Sequence, residues 1–200
     1  MKQQIIVIHG GTTFENYEDY ISYLKNKEIS IDKLRLKIDW KDTLEKELGE
    51  NFEVLLPRMP NGTNACYKEW KIWFERIVPL LNNNIIFIGY SLGGIFLAKY
   101  LSENTITKTI RATILVAAPF DDEKSGKSLV DFRLSSPLEK FAKQGGKIYL
   151  IQSKDDLEVL FEQLDKYKQA LPNAETMIFE NREHFNQESF PEIIELIKKL

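Results

Sequence analysis

The 200-residue chain has a single cysteine, Cys66, so it can form neither an intrachain disulfide nor a thiolate metal cluster. Histidine is scarce too, with only His9 and His184 available for base or metal-ligand work. No histidine–carboxylate spacing points to a metal site, and the chemistry read below needs no cofactor. The opening apolar run, Ile5 to Ile8, is too short for a signal-peptide core and far too short to span a membrane. No excess of one charge is present either. Lys and Arg number 27 against 30 Asp and Glu, giving a net charge of −3 and a pI near 5.6. That balance supplies no global attraction for nucleic acid or a membrane. Repeats, low-complexity tracts and Pro-rich linkers are likewise missing, so one domain over 1–200 in a cytoplasmic protein is the expected organisation.

What is present is an alternation of short β-branched runs with longer helical patterns, the mark of a parallel sheet covered by helices on both faces. The predicted strands are Gln4–Ile8, Phe52–Leu56, Asn84–Ile88, Ala112–Ala117, Lys147–Gln152 and Glu175–Phe179. Helical periodicity places Trp70, Trp73, Phe74, Ile77 and Leu81 on one face, and Ile95, Phe96 and Leu101 on another. A further helix is read over Leu157–Leu171. A last one carries Phe190, Ile193, Ile194, Ile197 and Leu200, with Pro191 suited to its first turn. Two stretches fit less simply. One is the charged connection from about 14 to 50, where Leu34, Leu36, Ile38 and Trp40 alternate like a strand. The other is the polar segment Phe120–Gln144. The fold class is therefore α/β, with about six mostly parallel strands and a charged insertion at 14–50.

Gly89-Tyr90-Ser91-Leu92-Gly93 matches G-x-S-x-G, and its setting matters more than the match. A strand ends at Gly89 and a helix begins just after Ser91, the context of a nucleophile elbow. Small flanking residues leave room for a tight turn that lifts the Ser91 hydroxyl above the sheet edge. An acyl-transfer intermediate needs two amide donors for its oxyanion. One would be Leu92 N–H. The other would come from the loop after the first strand, His9-Gly10-Gly11-Thr12, at Gly11 or Thr12.

Serine is too weakly acidic to attack unaided and needs an adjacent base. His9 lies within the proposed oxyanion loop, which leaves His184, placed between the last strand and the last helix. The orienting acid should fall between Ser91 and His184 in chain order. Ser153-Lys154-Asp155-Asp156 follows the fifth strand, where ligand sites of such sheets collect. Asp156 is the choice and Asp155 the reserve, the second carboxylate then capping a helix near Leu157. Asp121 and Asp122 are a further source of the acid. Ser125-Gly126-Lys127-Ser128 looks like the end of a P-loop, but Asp121 stands where that pattern needs glycine. Trp70 and Trp73 lack the basic stripe of a nucleic-acid platform.

These residues resemble the small serine hydrolases of the YdeN and retinoblastoma-binding-protein type, a compact branch of the α/β-hydrolases. The resemblance rests on the glycine loop after the first strand and on Val54-Leu55-Leu56-Pro57-Arg58-Met59-Pro60 before a tryptophan-bearing helix. It extends through the elbow and Ser153-Lys154-Asp155-Asp156 to His184-Phe185-Asn186. It implies a first-half strand order 2-1-3, a triad of Ser91, Asp156 and His184, little or no lid, and hydrolysis of small esters. The 14–50 segment departs from the pattern by its length and, leaving the oxyanion loop, is expected to border the pocket. The functional reading is a small-ester hydrolase, with thioester or amide cleavage open. The competing reading is a protein-binding module of the same fold with little turnover.

Overall fold

A computed structural model describes residues 2–123 and 128–200. Strands β1 (Gln3–Ile8), β2 (Phe52–Leu55), β3 (Ile85–Tyr90), β4 (Ile110–Val116), β5 (Lys147–Ser153) and β6 (Glu175–Phe179) form one sheet. Their order is β2-β1-β3-β4-β5-β6 and every pairing is parallel. Parallel neighbours demand crossovers, and helices α1 (Tyr17–Asn26), α2 (Ile31–Leu34), α3 (Trp40–Leu48), α4 (Tyr67–Ile77), α5 (Leu92–Glu103), α6 (Glu139–Gln144), α7 (Glu162–Ala170) and α8 (Pro191–Lys199) occupy them or follow them. This is a single-domain α/β-hydrolase fold. Each strand falls where its β-branched run lies, because both faces of the sheet must be apolar.

Period-two alternation divides the core in two. Ile6, Ile8, Phe87 and Leu115 point to the face covered by α4, α5, α6 and α7. Ile5, Val7, Ile86, Ile88 and Ile114 point to the face covered by α3 and α8. The central strand β3 is buried along all its six residues, so the motif at its carboxyl end hangs from the most constrained part of the sheet.

Three local readings differ from the sequence expectation. The alternating Leu34, Leu36, Ile38 and Trp40 form no strand: Leu34 ends α2, Trp40 opens α3, and the intervening residues lie at the surface without sheet partners. The helix read from Leu157 begins only at Glu162. Leu157 is 90% exposed, and the chain there is held in a turn by Asp156. Trp73 is 41% exposed, outside the inner face that Trp70 and Phe74 share. The P-loop-like Ser125-Gly126-Lys127 lies outside the described residues. Among the described residues no helix is long and apolar enough to cross a membrane.

Candidate active site

β3 delivers Tyr90 and Ser91 to a turn with no slack. Ser91 has φ 53° and ψ −122°, a backbone conformation that costs on the order of 1 to 3 kcal/mol and persists only where surroundings impose it. Here they do. Ser91 N–H donates to Val116 O at 2.9 Å, tying the turn to β4. A Cβ on Gly93 would stand 2.2 Å from Ile8 O, and one on Gly89 would stand 2.6 Å from Gly93 O. Both positions therefore require glycine by close approach. Leu92 opens α5, so its N–H belongs to the first helical turn and has no intrahelical acceptor.

The Ser91 Oγ lies 3.0 Å from His184 Nε2, and His184 Nδ1 lies 2.8 Å from Asp156 Oδ2. His184 and Asp156 are only 8% and 2% exposed, so bulk water scarcely competes for these contacts. A proton on Nδ1 pointing at Asp156 leaves the Nε2 lone pair facing the serine hydroxyl. Asp156 is occupied on both oxygens. Its Oδ1 accepts from Glu158 N–H at 2.8 Å and Val159 N–H at 2.9 Å, which fixes the carboxylate plane. Gln152 Nε2 stands 3.5 Å from Oδ2.

The loop carrying His184 is strained on both sides, with φ 47° at Glu183 and 54° at Phe185. Four side chains hold it there. Tyr90 donates its hydroxyl to His184 O at 2.7 Å, and Trp40 Nε1 donates to Phe185 O at 3.0 Å. Asp155 Oδ1 accepts from Glu183 N–H at 2.9 Å, and Ser153 Oγ accepts from Arg182 N–H at 2.9 Å. Asp155 thus braces the histidine loop rather than capping a helix, while Asp156 alone reaches the imidazole. Desolvation pushes the Tyr90 phenol far above its ordinary range, so it stays a neutral donor. Asp121 and Asp122 face other partners, Lys166 and Gln163 for the first and Arg133 for the second. The bracing roles of Tyr90, Trp40 and Ser153 carry no sequence signal beyond burial, and Tyr90 entered only as a filler of the elbow motif.

The loop after β1 is pinned by His9. Met59 N–H donates to its Nε2 at 2.9 Å, which puts the ring proton on Nδ1, 2.6 Å from Gly10 O. His9 is thereby spent as a structural clamp, packed edge-on against Trp70. Thr12 N–H is also committed, donating to Gly62 O at 2.9 Å. That removes Thr12 as an amide donor for substrate and leaves Gly11. The cavity beside Ser91 measures about 90 Å³ and is lined by Gly11, Thr12, Leu92, Pro119, Leu129 and Val159 among others. No residue of 14–50 lines it, contrary to the expected bordering role. That segment reaches the site's surroundings instead through Glu15, which accepts from the Ser128 hydroxyl and pairs with Arg133, and through Trp40, which holds the histidine loop at Phe185 O and packs edge-on against Tyr90. Among the described residues no three His, Cys, Asp or Glu side chains converge as a metal site would require.

Residues 36–199 match the family described as serine hydrolase. No curated protein matches significantly in sequence. Among solved structures, the chain is similar to the ydeN gene product of Bacillus subtilis at 18% identity, with 99% of this chain and 98% of that one covered and a TM-score of 0.74. A putative YdeN-like hydrolase from Pectobacterium atrosepticum aligns at 17% identity over 92% of this chain and 80% of that one, with a TM-score of 0.59. A structure from Nitrososphaera gargenis, described with activity profiles of carboxylesterases, aligns at 14% identity over 99% and 89%, with a TM-score of 0.59. At these identities the likeness carries the fold.

Proposed function

The chain belongs to the serine hydrolase family, and from that premise we propose that it cleaves small carboxylic esters through an acyl-serine intermediate. The observation that carries the reading is the unbroken chain of contacts from Ser91 Oγ through His184 to Asp156, at 3.0 and 2.8 Å, at the mouth of a cavity. In this reading Ser91 Oγ attacks the ester carbonyl as His184 Nε2 takes its proton. The oxyanion of the tetrahedral intermediate is met by the Leu92 and Gly11 amides. His184 returns the proton to the departing alcohol, and the acyl group stays on Ser91. Water then attacks that acyl group with His184 again as base, releasing the acid and restoring the serine. Asp156 keeps the imidazole in the productive tautomer and stabilises the imidazolium.

The cavity of about 90 Å³ supports a short acyl group, since sites for drug-sized ligands begin at ~300 Å³. The whole chain is read as one functional unit with the 14–50 connection as an insertion, and the lone cysteine fits a reducing, cytoplasmic setting. A fluorophosphonate probe tests the reading. Wild type is expected to label, and to hydrolyse an activated acetate ester, whereas Ser91→Ala and His184→Ala do neither. Folded wild type that neither labels nor turns over would sink the hydrolase reading and move the binding-module reading to first place.

A further inference from the structure

Helices α1 and α2 bury no residue at all, and every residue from 31 to 38 is exposed. Six of the thirteen exposed large apolar side chains among the described residues fall within residues 24–38: Leu24, Ile29, Ile31, Leu34, Leu36 and Ile38 are 45% to 92% exposed. Elsewhere such side chains stand singly or, at Ile72 and Trp73, as one pair, which is ordinary; a larger exposed apolar set marks an interaction surface. Interleaved with them stand Lys25, Lys27, Lys33, Arg35 and Lys37, opposed only by Glu28 and Asp32. The segment is thus basic in a chain whose net charge is −3, so the rest of the molecule is more acidic than the total indicates.

We propose that residues 24–38 form a strap that docks the protein on an anionic phospholipid surface. Beyond α2 the residues Arg35, Leu36, Lys37 and Ile38 alternate cationic with apolar side chains along the chain, all of them exposed. At a bilayer interface the apolar side chains enter the boundary between headgroups and acyl chains, while the long cationic side chains reach back to phosphate. The ion pairs Lys33–Glu28 and Arg35–Asp32 join side chains that are more than half exposed, so they hold the cations weakly and phosphate displaces the carboxylates. Charge also decides against a second copy as occupant. Strap against strap would bring Lys33, Arg35 and Lys37 of both copies together in an apolar contact, where like charges repel. The strap is no lid, because none of its residues lines the cavity beside Ser91. Docking of this kind positions the molecule without spanning the bilayer, and the cytoplasmic leaflet supplies the anionic charge.

The test is co-sedimentation of the full chain with phosphatidylcholine vesicles, with and without phosphatidylglycerol. Binding is expected on the mixed vesicles, weak on pure phosphatidylcholine, and reduced by salt. Combined Lys33→Gln, Arg35→Gln and Lys37→Gln should weaken it about a hundredfold, from about fivefold per cation. Combined Leu34→Ser and Leu36→Ser should weaken it about tenfold or more. Both variants alter exposed side chains and should keep the fold and the ester turnover of wild type. Absence of wild-type binding to the mixed vesicles, or binding unchanged in both variants, would overturn the proposal. So would a wild-type dimer that Leu34→Ser and Leu36→Ser convert to monomer, which would give the face to a second copy. None of these outcomes depends on the chemistry at Ser91.

Discussion

Helix α5 and the α1–α2 segment answer to opposite demands. From Leu92 to Ser102 every residue of α5 is buried, Lys99 included, its amine held by Glu103 at 2.7 Å and Arg133 O at 2.8 Å. In α1 and α2 none is buried, although both begin with side-chain caps from Asn16 and Ser30. The first helix is fixed by packing on all sides, and Ser91 at its head inherits that fixity. The second is fixed mainly by its own caps and by the Phe14 ring tilted against Tyr20 and Tyr23. An apolar side chain in α5 is accounted for by the core around it, whereas one at Leu36 has no partner within the fold. The comparison separates residues that build the site from residues whose sequence answers to something outside the chain.

The largest effect should come from cutting one apolar side chain on each side of that divide. Phe96 is fully buried against Tyr67, Trp70 and Phe74. Phe96→Ala should cost about 3 to 5 kcal/mol of unfolding free energy, from lost transfer and the cavity left behind. Leu36→Ala, at 92% exposure, should stay within about 0.5 kcal/mol. Urea denaturation of the pair measures both. A loss at Leu36 comparable to that at Phe96 would mean the strap is packed in solution, and the comparison would collapse.

A smaller effect sharpens the same contrast within the site. Tyr90→Phe keeps the ring beside His184 and removes only the hydroxyl that holds His184 O, leaving that buried carbonyl short of a partner. The stability cost should be about 1 to 2 kcal/mol. Turnover should fall by roughly tenfold as the imidazole loosens against Ser91 and Asp156, with little change in KM. Steady-state kinetics on an activated ester checks this, and unchanged kcat would demote Tyr90 from positioning residue to packing.

How much of this was legible follows from where each signal sits. The six strands could be read because their β-branched runs are demanded by burial on two faces, and Ser91 because the elbow needs Gly89 and Gly93 for space. His184 emerged by scarcity, with His9 tied to its own loop. The alternation of Leu34 to Trp40 misled for a physical reason. Period two shows that side chains take opposite sides, and it does not show that backbone partners exist. The tyrosine at 90 looked interchangeable because G-x-S-x-G specifies nothing about a hydroxyl that acts ninety-odd residues downstream. Likewise the adjacent carboxylates at 155 and 156 could not be told apart until the turn at Glu158 and Val159 fixed which one faces the imidazole.

Asp155 carries the smallest expected effect. The Ser153 hydroxyl, and after it the Glu183 N–H, hold its carboxyl below the ordinary aspartate range. A carboxylate whose folded pKa is depressed stabilises the folded state above its unfolded value, and that contribution is lost as pH falls through the folded one. Wild type and Asp155→Asn should therefore differ in thermal stability at neutral pH, a difference that begins to shrink below about pH 4, where the unfolded carboxyl takes up its proton, and vanishes at lower pH, where the folded carboxyl does so too. The same variant should lower ester turnover modestly at neutral pH, because Glu183 N–H loses a charged acceptor next to His184. Stability curves that stay parallel down to acid pH would mean the Asp155 contacts contribute nothing to the histidine loop, leaving Tyr90 and Trp40 to hold its strained backbone.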